Sequence, residues 1–148
     1  MGRADVIGEI FRRLDEYLGV LGILAQVPRD ELLADKARLG GAKYYLQVAV
    51  KRCMDVANHL ILQQGWRAPK SYADSFAVLA ENGVISAELL GTTRQMAGMR
   101  NRLVHLYWEV DAETVYKTLQ ENLRDFDRFK AAMYTYLRSK GGVSGQGQ

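Results

Sequence analysis

Residues 5–25 read DVIGEIFRRLDEYLGVLGILA, and their spacing decides the fold class. Val6, Ile7, Ile10, Phe11, Leu14, Tyr17, Leu18, Leu21 and Leu24 recur every three to four positions. That is the apolar stripe of an amphipathic helix. Pro28-Arg29-Asp30 punctuates the pattern, and a short helical turn with Leu32 and Leu33 follows. A second long helix is expected from Ala37 to Gln64, with a stripe through Tyr45, Val48, Ala49, Arg52, Cys53, Val56, Ala57 and Leu60. Gly40-Gly41 weakens its start and Gly65, with Pro69 shortly after, stops it.

The same periodicity continues to the C-terminal part. Ser71 to Asp74 opens a short helix through Phe76, Leu79 and Ala80, closed by Asn82-Gly83. Ser86 caps a fourth helix with Glu88 in its first turn, where the helix dipole favours a carboxylate. That helix should end between His105 and Trp108. Asp111 is the next N-cap, and one last helix carries Val115, Leu119, Leu123, Phe126, Phe129, Met133 and Leu137. No stretch alternates as a strand does; Val84-Ile85 is too short to count. The reading is an all-α bundle of four to five main helices. It forms one domain over 1–138, followed by a Gly-, Ser- and Gln-rich tail at 139–148 that is expected to be disordered.

Composition narrows the function classes. The 148 residues suit one domain with an ordinary core, 48% of them being hydrophobic. One cysteine, Cys53, excludes an intrachain disulfide and a thiolate zinc site, and its apolar surroundings mark a buried structural thiol. No metal-ligand spacing, Gly-rich phosphate loop or nucleophile elbow occurs, so neither metal nor cofactor is expected. The charged N-terminus is unlike a signal peptide and no window is apolar enough to span a membrane, which leaves a reducing cytoplasm as the expected location. A net charge of +3 leans mildly towards anionic partners.

The chemistry gathers in Met99-Arg100-Asn101-Arg102-Leu103-Val104-His105-Leu106-Tyr107-Trp108. A helix end rarely needs two arginines, an asparagine, a histidine and two aromatics for packing alone. At about 100° per residue Arg100 and Tyr107 return to nearly one face, whereas Arg100 and His105 stand roughly 140° apart. Convergence therefore needs arginine's reach, a loosened last turn, or a second copy of the segment supplied by a two-fold dimer. Taken singly, each residue also has a plain reading. His105 suits a helix C-terminus, Arg100 can bridge to a carboxylate, Arg102 can be a solvated charge, and Tyr107 and Trp108 can be interface or core aromatics. His59 reads as structural or cleft-lining, and Tyr44, Tyr45, Lys51, Arg52 and Arg67 either border a nucleic-acid path or are ordinary surface.

Arg100-Asn101 followed by His105 resembles the R-x4-H motif of the HEPN superfamily, and Tyr107 extends it to the R-x4-H-x-Y form of the HepT-like toxin branch. The similarity runs from about Asp5 to Leu137 and includes Leu46 to Val50, Asp55 to His59 and Ser71-Tyr72. The resemblance implies a homodimeric helical bundle whose two motifs face one cleft. It implies a metal-independent endoribonuclease toxin of a toxin–antitoxin pair, paired with a minimal nucleotidyltransferase antitoxin that adds AMP to the motif tyrosine, here Tyr107. The residue types fit that chemistry. A histidine titrating near neutrality can move the 2′-hydroxyl proton, and arginine's planar fork suits a phosphate gathering charge. On this reading His105 is the acid/base, Arg100 the phosphate clamp, Asn101 an orienting group and Arg102 a backbone contact. Asp55 is expected to hold Arg100 through an ion pair. The alternative is a non-catalytic nucleotide-binding module that partners a nucleotidyltransferase. An idle structural dimer is a third reading.

Overall fold

The computed structural model describes residues 3–140, with α3 (Lys36–Gln64) as its longest helix. Asp35 starts α3 by accepting from the backbone N–H groups of Ala37 and Arg38 at 3.0 and 3.1 Å. Gly65 ends it in the left-handed conformation at φ 70°, and Trp66 N–H closes back onto the Ile61 carbonyl. Gly40 and Gly41 do not delay the helix, because the cap and the buried face behind them outweigh two poor helix formers.

α1 (Arg3–Ala25) and α2 (Arg29–Leu33) precede α3, and α1 lies along it. α4 (Asp74–Glu81) and α5 (Ala87–His105) follow, then a 3₁₀ turn over Tyr107–Glu109, α6 (Ala112–Glu121) and α7 (Leu123–Lys140). The described residues contain no strand. Ile7, Phe11, Leu14, Leu21, Leu46, Ala49, Cys53, Val56, Leu60, Phe76, Leu79, Leu103 and Met133 are sealed in one core, and Phe76 meets Phe129 edge-on at 5.6 Å. Burial pushes the Cys53 thiol up from its ordinary pKa, as expected of a structural cysteine.

Two expectations change. The single last helix is two, broken at Asn122, whose carbonyl accepts the Asp125 N–H at 3.0 Å while its side-chain amide donates to the Asp125 carboxylate at 3.1 Å. Asn122 thus ends α6 and starts α7. The apolar stripe passes unbroken through Leu119, Leu123 and Phe126, so periodicity alone could not reveal the junction. At the far end α7 carries Ser139 and Lys140 as helix, two residues past the expected domain edge, and the rest of the expected tail, 141–148, lies outside the described residues.

The connection between α3 and α4 is tied by Arg67, which donates to Glu81 at 2.7 and 2.8 Å and to Asp74 at 2.8 Å. The guanidinium holds the Asp74 carboxyl at about 2, below the usual carboxylate range. Arg67 is therefore engaged in an ion-pair cluster with Asp74 and Glu81.

Candidate functional site

α5 carries the motif, and its capping sets where the motif ends. Ser86 Oγ accepts the Leu89 N–H at 3.0 Å to start the helix. At the other end Leu106 leaves helical geometry at φ −133° and ψ 44°, although its N–H still reaches the Arg102 carbonyl at 2.8 Å. The chain then tightens into the 3₁₀ turn that holds Tyr107 and Trp108 before Asp111 caps α6.

α5 runs antiparallel to α3. Met96 and Met99 line one small cavity with Leu46 and Val50, and Tyr107 meets Lys43. Arg100 therefore stands at the level of Leu46, half-buried, with its Nε buried and without a hydrogen-bond partner. Asn101, Arg102 and His105 are exposed, as the helical wheel requires of positions turned away from Leu103. One chain thus places Arg100 and His105 on different faces, as their angular separation on the helix demanded.

The expected ion pair between Asp55 and Arg100 does not form. Asp55 takes Arg52 at 2.8 Å and Lys51 at 3.3 Å, both on its own helix, and the Tyr72 hydroxyl donates to it. The reason is register. Asp55 lies nine positions beyond Leu46, about 13 Å along α3 at 1.5 Å per residue, which exceeds the reach of an arginine side chain. His59 is joined to Gln63 on the same helix, and Tyr45 packs on Tyr17 with ring centroids 5.8 Å apart. Tyr44 stays exposed beside it.

Tyr107 is 41% exposed and Trp108 75%, so neither is a core aromatic. Lys43 at the start of α3 donates to the Tyr107 carbonyl at 3.1 Å and stands 4.2 Å from the centre of its ring. Sequence reasoning missed Lys43, because the contact joins residues far apart in the chain and no local pattern announces it. Asp111 shares this end of the bundle. Its carboxyl is held below the usual range first by hydrogen bonding to Thr114, and further by the nearby charges of Arg102 and Lys43. Among the described residues no group of three or more His, Cys, Asp or Glu side chains converges as a metal site would require.

Comparison with known proteins adds to this geometry. The family model described as Ribonuclease HepT-like matches residues 7–133. The chain is similar to the mRNA nuclease HepT of Shewanella oneidensis, 35% identical over 123 residues that cover 83% of this chain and 89% of that protein. It is 23% identical over 126 residues to the tRNA nuclease HepT of Aphanizomenon flos-aquae, covering 84% of each. Its fold superposes with a TM-score of 0.82 on the tri-AMPylated HEPN toxin of Shewanella oneidensis in complex with MNT antitoxin, at 27% identity and over 91% of this chain and 99% of that one.

Proposed function

The chain belongs to the HepT-like ribonuclease family, and on that premise we propose that it is a metal-independent endoribonuclease toxin acting from Arg100 and His105, with a nucleotidyltransferase antitoxin as its partner. The observation that carries the reading is the half-buried Arg100 guanidinium, whose Nε lacks any hydrogen-bond partner. A buried donor on a charged group is costly to leave unmet. Arg52 Nε is unmet too, but Arg52 already holds Asp55, whereas Arg100 faces no carboxylate among the described residues, which supports an anion that arrives from outside the chain. A phosphodiester supplies one, and the exposed His105 five residues on is free to handle a proton beside it.

In the reaction, Arg100 binds the scissile phosphate and offsets the charge that builds on its oxygens. His105 takes the proton of the RNA 2′-hydroxyl or gives one to the departing 5′-oxygen. Asn101 orients the phosphate, and Arg102 meets the RNA backbone. Asp55 supports the site from α3 by holding Lys51, Arg52 and Tyr72 in place, not by touching Arg100. Two copies of the chain form one cleft, so that Arg100 and His105 from different protomers converge on one phosphate. The toxin works in the cytoplasm, as one helical domain that includes α7. AMP transferred to Tyr107 silences it, a reading supported by the AMPylated relative seen with its MNT antitoxin.

Purified protein should cut RNA in the presence of a chelator and leave a 2′,3′-cyclic phosphate, with no cleavage at a 2′-deoxy position. His105→Ala should lower the rate by about 10²- to 10⁴-fold, the usual worth of a general acid/base. Equal rates for the two proteins would remove His105 from the mechanism.

A further inference from the structure

Tyr107 sits on the 3₁₀ turn, yet the residues that fix its position belong to the start of α3. Lys43 Nζ holds the backbone through the Tyr107 carbonyl at 3.1 Å and the phenol through its ring face at 4.2 Å. The phenol oxygen lies against Gly40. A Cβ built on Gly40 would stand 3.7 Å from that oxygen and would meet no other heavy atom within 4 Å. The hydroxyl makes no hydrogen bond among the described residues, and Gly40, which faces it, has no side chain. Oxygen, cation and open space thus occur together at one spot.

We propose that Lys43 and Gly40 form a cradle that positions Tyr107 for nucleotidyl transfer from a nucleoside triphosphate, and that holds the phosphodiester so made. The proposal rests on the reading of Tyr107 as the modified residue. In the step, the Tyr107 oxygen attacks the α-phosphorus, the bond from that phosphorus to the bridging oxygen breaks, and pyrophosphate leaves with the bonding electrons. The phenol proton passes to a base of the partner enzyme or to water. The product carries one new negative charge per AMP, one ester bond away from the phenol oxygen. The Lys43 ammonium, 4.2 Å from the centre of the same ring, attracts that charge during and after transfer. Asp111 competes for the same ammonium, and Arg102 adds to the positive field. Gly40 keeps open the volume a phosphate needs, since a branched or long side chain there would grow towards the phenol oxygen. Lys43 is a positioning residue here; it takes no part in RNA cleavage.

The test uses the full chain, the partner nucleotidyltransferase and ATP, with mass spectrometry following AMP on Tyr107 over time. Wild type, Lys43→Ala, Lys43→Arg and Gly40→Leu are compared, and RNA cleavage by each unmodified protein reports an intact fold. Lys43→Ala and Gly40→Leu should be modified at least about tenfold more slowly than wild type, while Lys43→Arg recovers most of the rate because the charge returns. Cleavage by all four should agree within about twofold. If Lys43→Ala fails to fold, Gly40→Leu carries the test, since Gly40 has open space around all but the phenol. Equal modification of wild type and the folded variants overturns the cradle and leaves the Tyr107 reading standing. A wild-type chain that never takes AMP on Tyr107 overturns that reading and the cradle with it.

Discussion

Arginines in this chain differ in what they meet. Arg29, Arg38, Arg52, Arg67 and Arg128 each face a carboxylate. Arg100 faces none among the described residues, although its Nε is buried. A charge-assisted hydrogen bond contributes about 1.5–3 kcal/mol, so a guanidinium held without one is poised to gain that on binding a phosphate. Arg100→Lys keeps the charge and loses the planar fork. It should lower kcat/KM for RNA cleavage by about 10- to 100-fold, read from initial rates on a fluorogenic RNA. A rate equal to wild type would mean that charge alone is needed there.

At the scale of elements, α5 is the part that must be straight and correctly ended, since Arg100 and His105 take their directions from it. Its start depends on one hydroxyl, Ser86 Oγ, which accepts the Leu89 N–H at 3.0 Å. Ser86→Ala should cost about 1 kcal/mol of folding stability, measured by urea denaturation. Cleavage by the folded variant should be unchanged, because the cap lies at the opposite end of α5 from the motif. Most of the caps were legible in the sequence. Ser86 and Asp111 accept backbone N–H groups at helix starts and Gly65 ends α3 with a positive φ, as their residue types announced, whereas the Asp35 cap of α3 was not read from the sequence. The break at Asn122 was not legible, because an asparagine between two stretches of one continuous stripe leaves the apolar pattern intact.

At the scale of the molecule, a single chain holds Arg100 half-buried against α3 and His105 on the exposed face of α5. A site made from two copies solves that geometry. Mixing Arg100→Ala with His105→Ala protomers should then restore cleavage that neither protein has alone. At equal amounts, half the dimers are mixed and each has one of its two composite sites intact, so about a quarter of wild-type activity should return. No recovery after subunit exchange, verified by native mass spectrometry, would place each site within one chain. The exposed Val104, Leu106, Tyr107 and Trp108 cluster at the end of the motif, and a joined cleft gives such residues something to meet.

Local information decided the helices, their caps, the apolar faces and the motif itself, because hydrogen bonding within a helix and the burial of one stripe are read over a few residues. Register between helices decided the rest. Only packing set α5 antiparallel on α3, which leaves Asp55 about 13 Å from the level of Arg100 and brings Lys43 onto Tyr107. Those pairings depend on where two separately formed helices settle against each other, a quantity that no spacing along one of them contains.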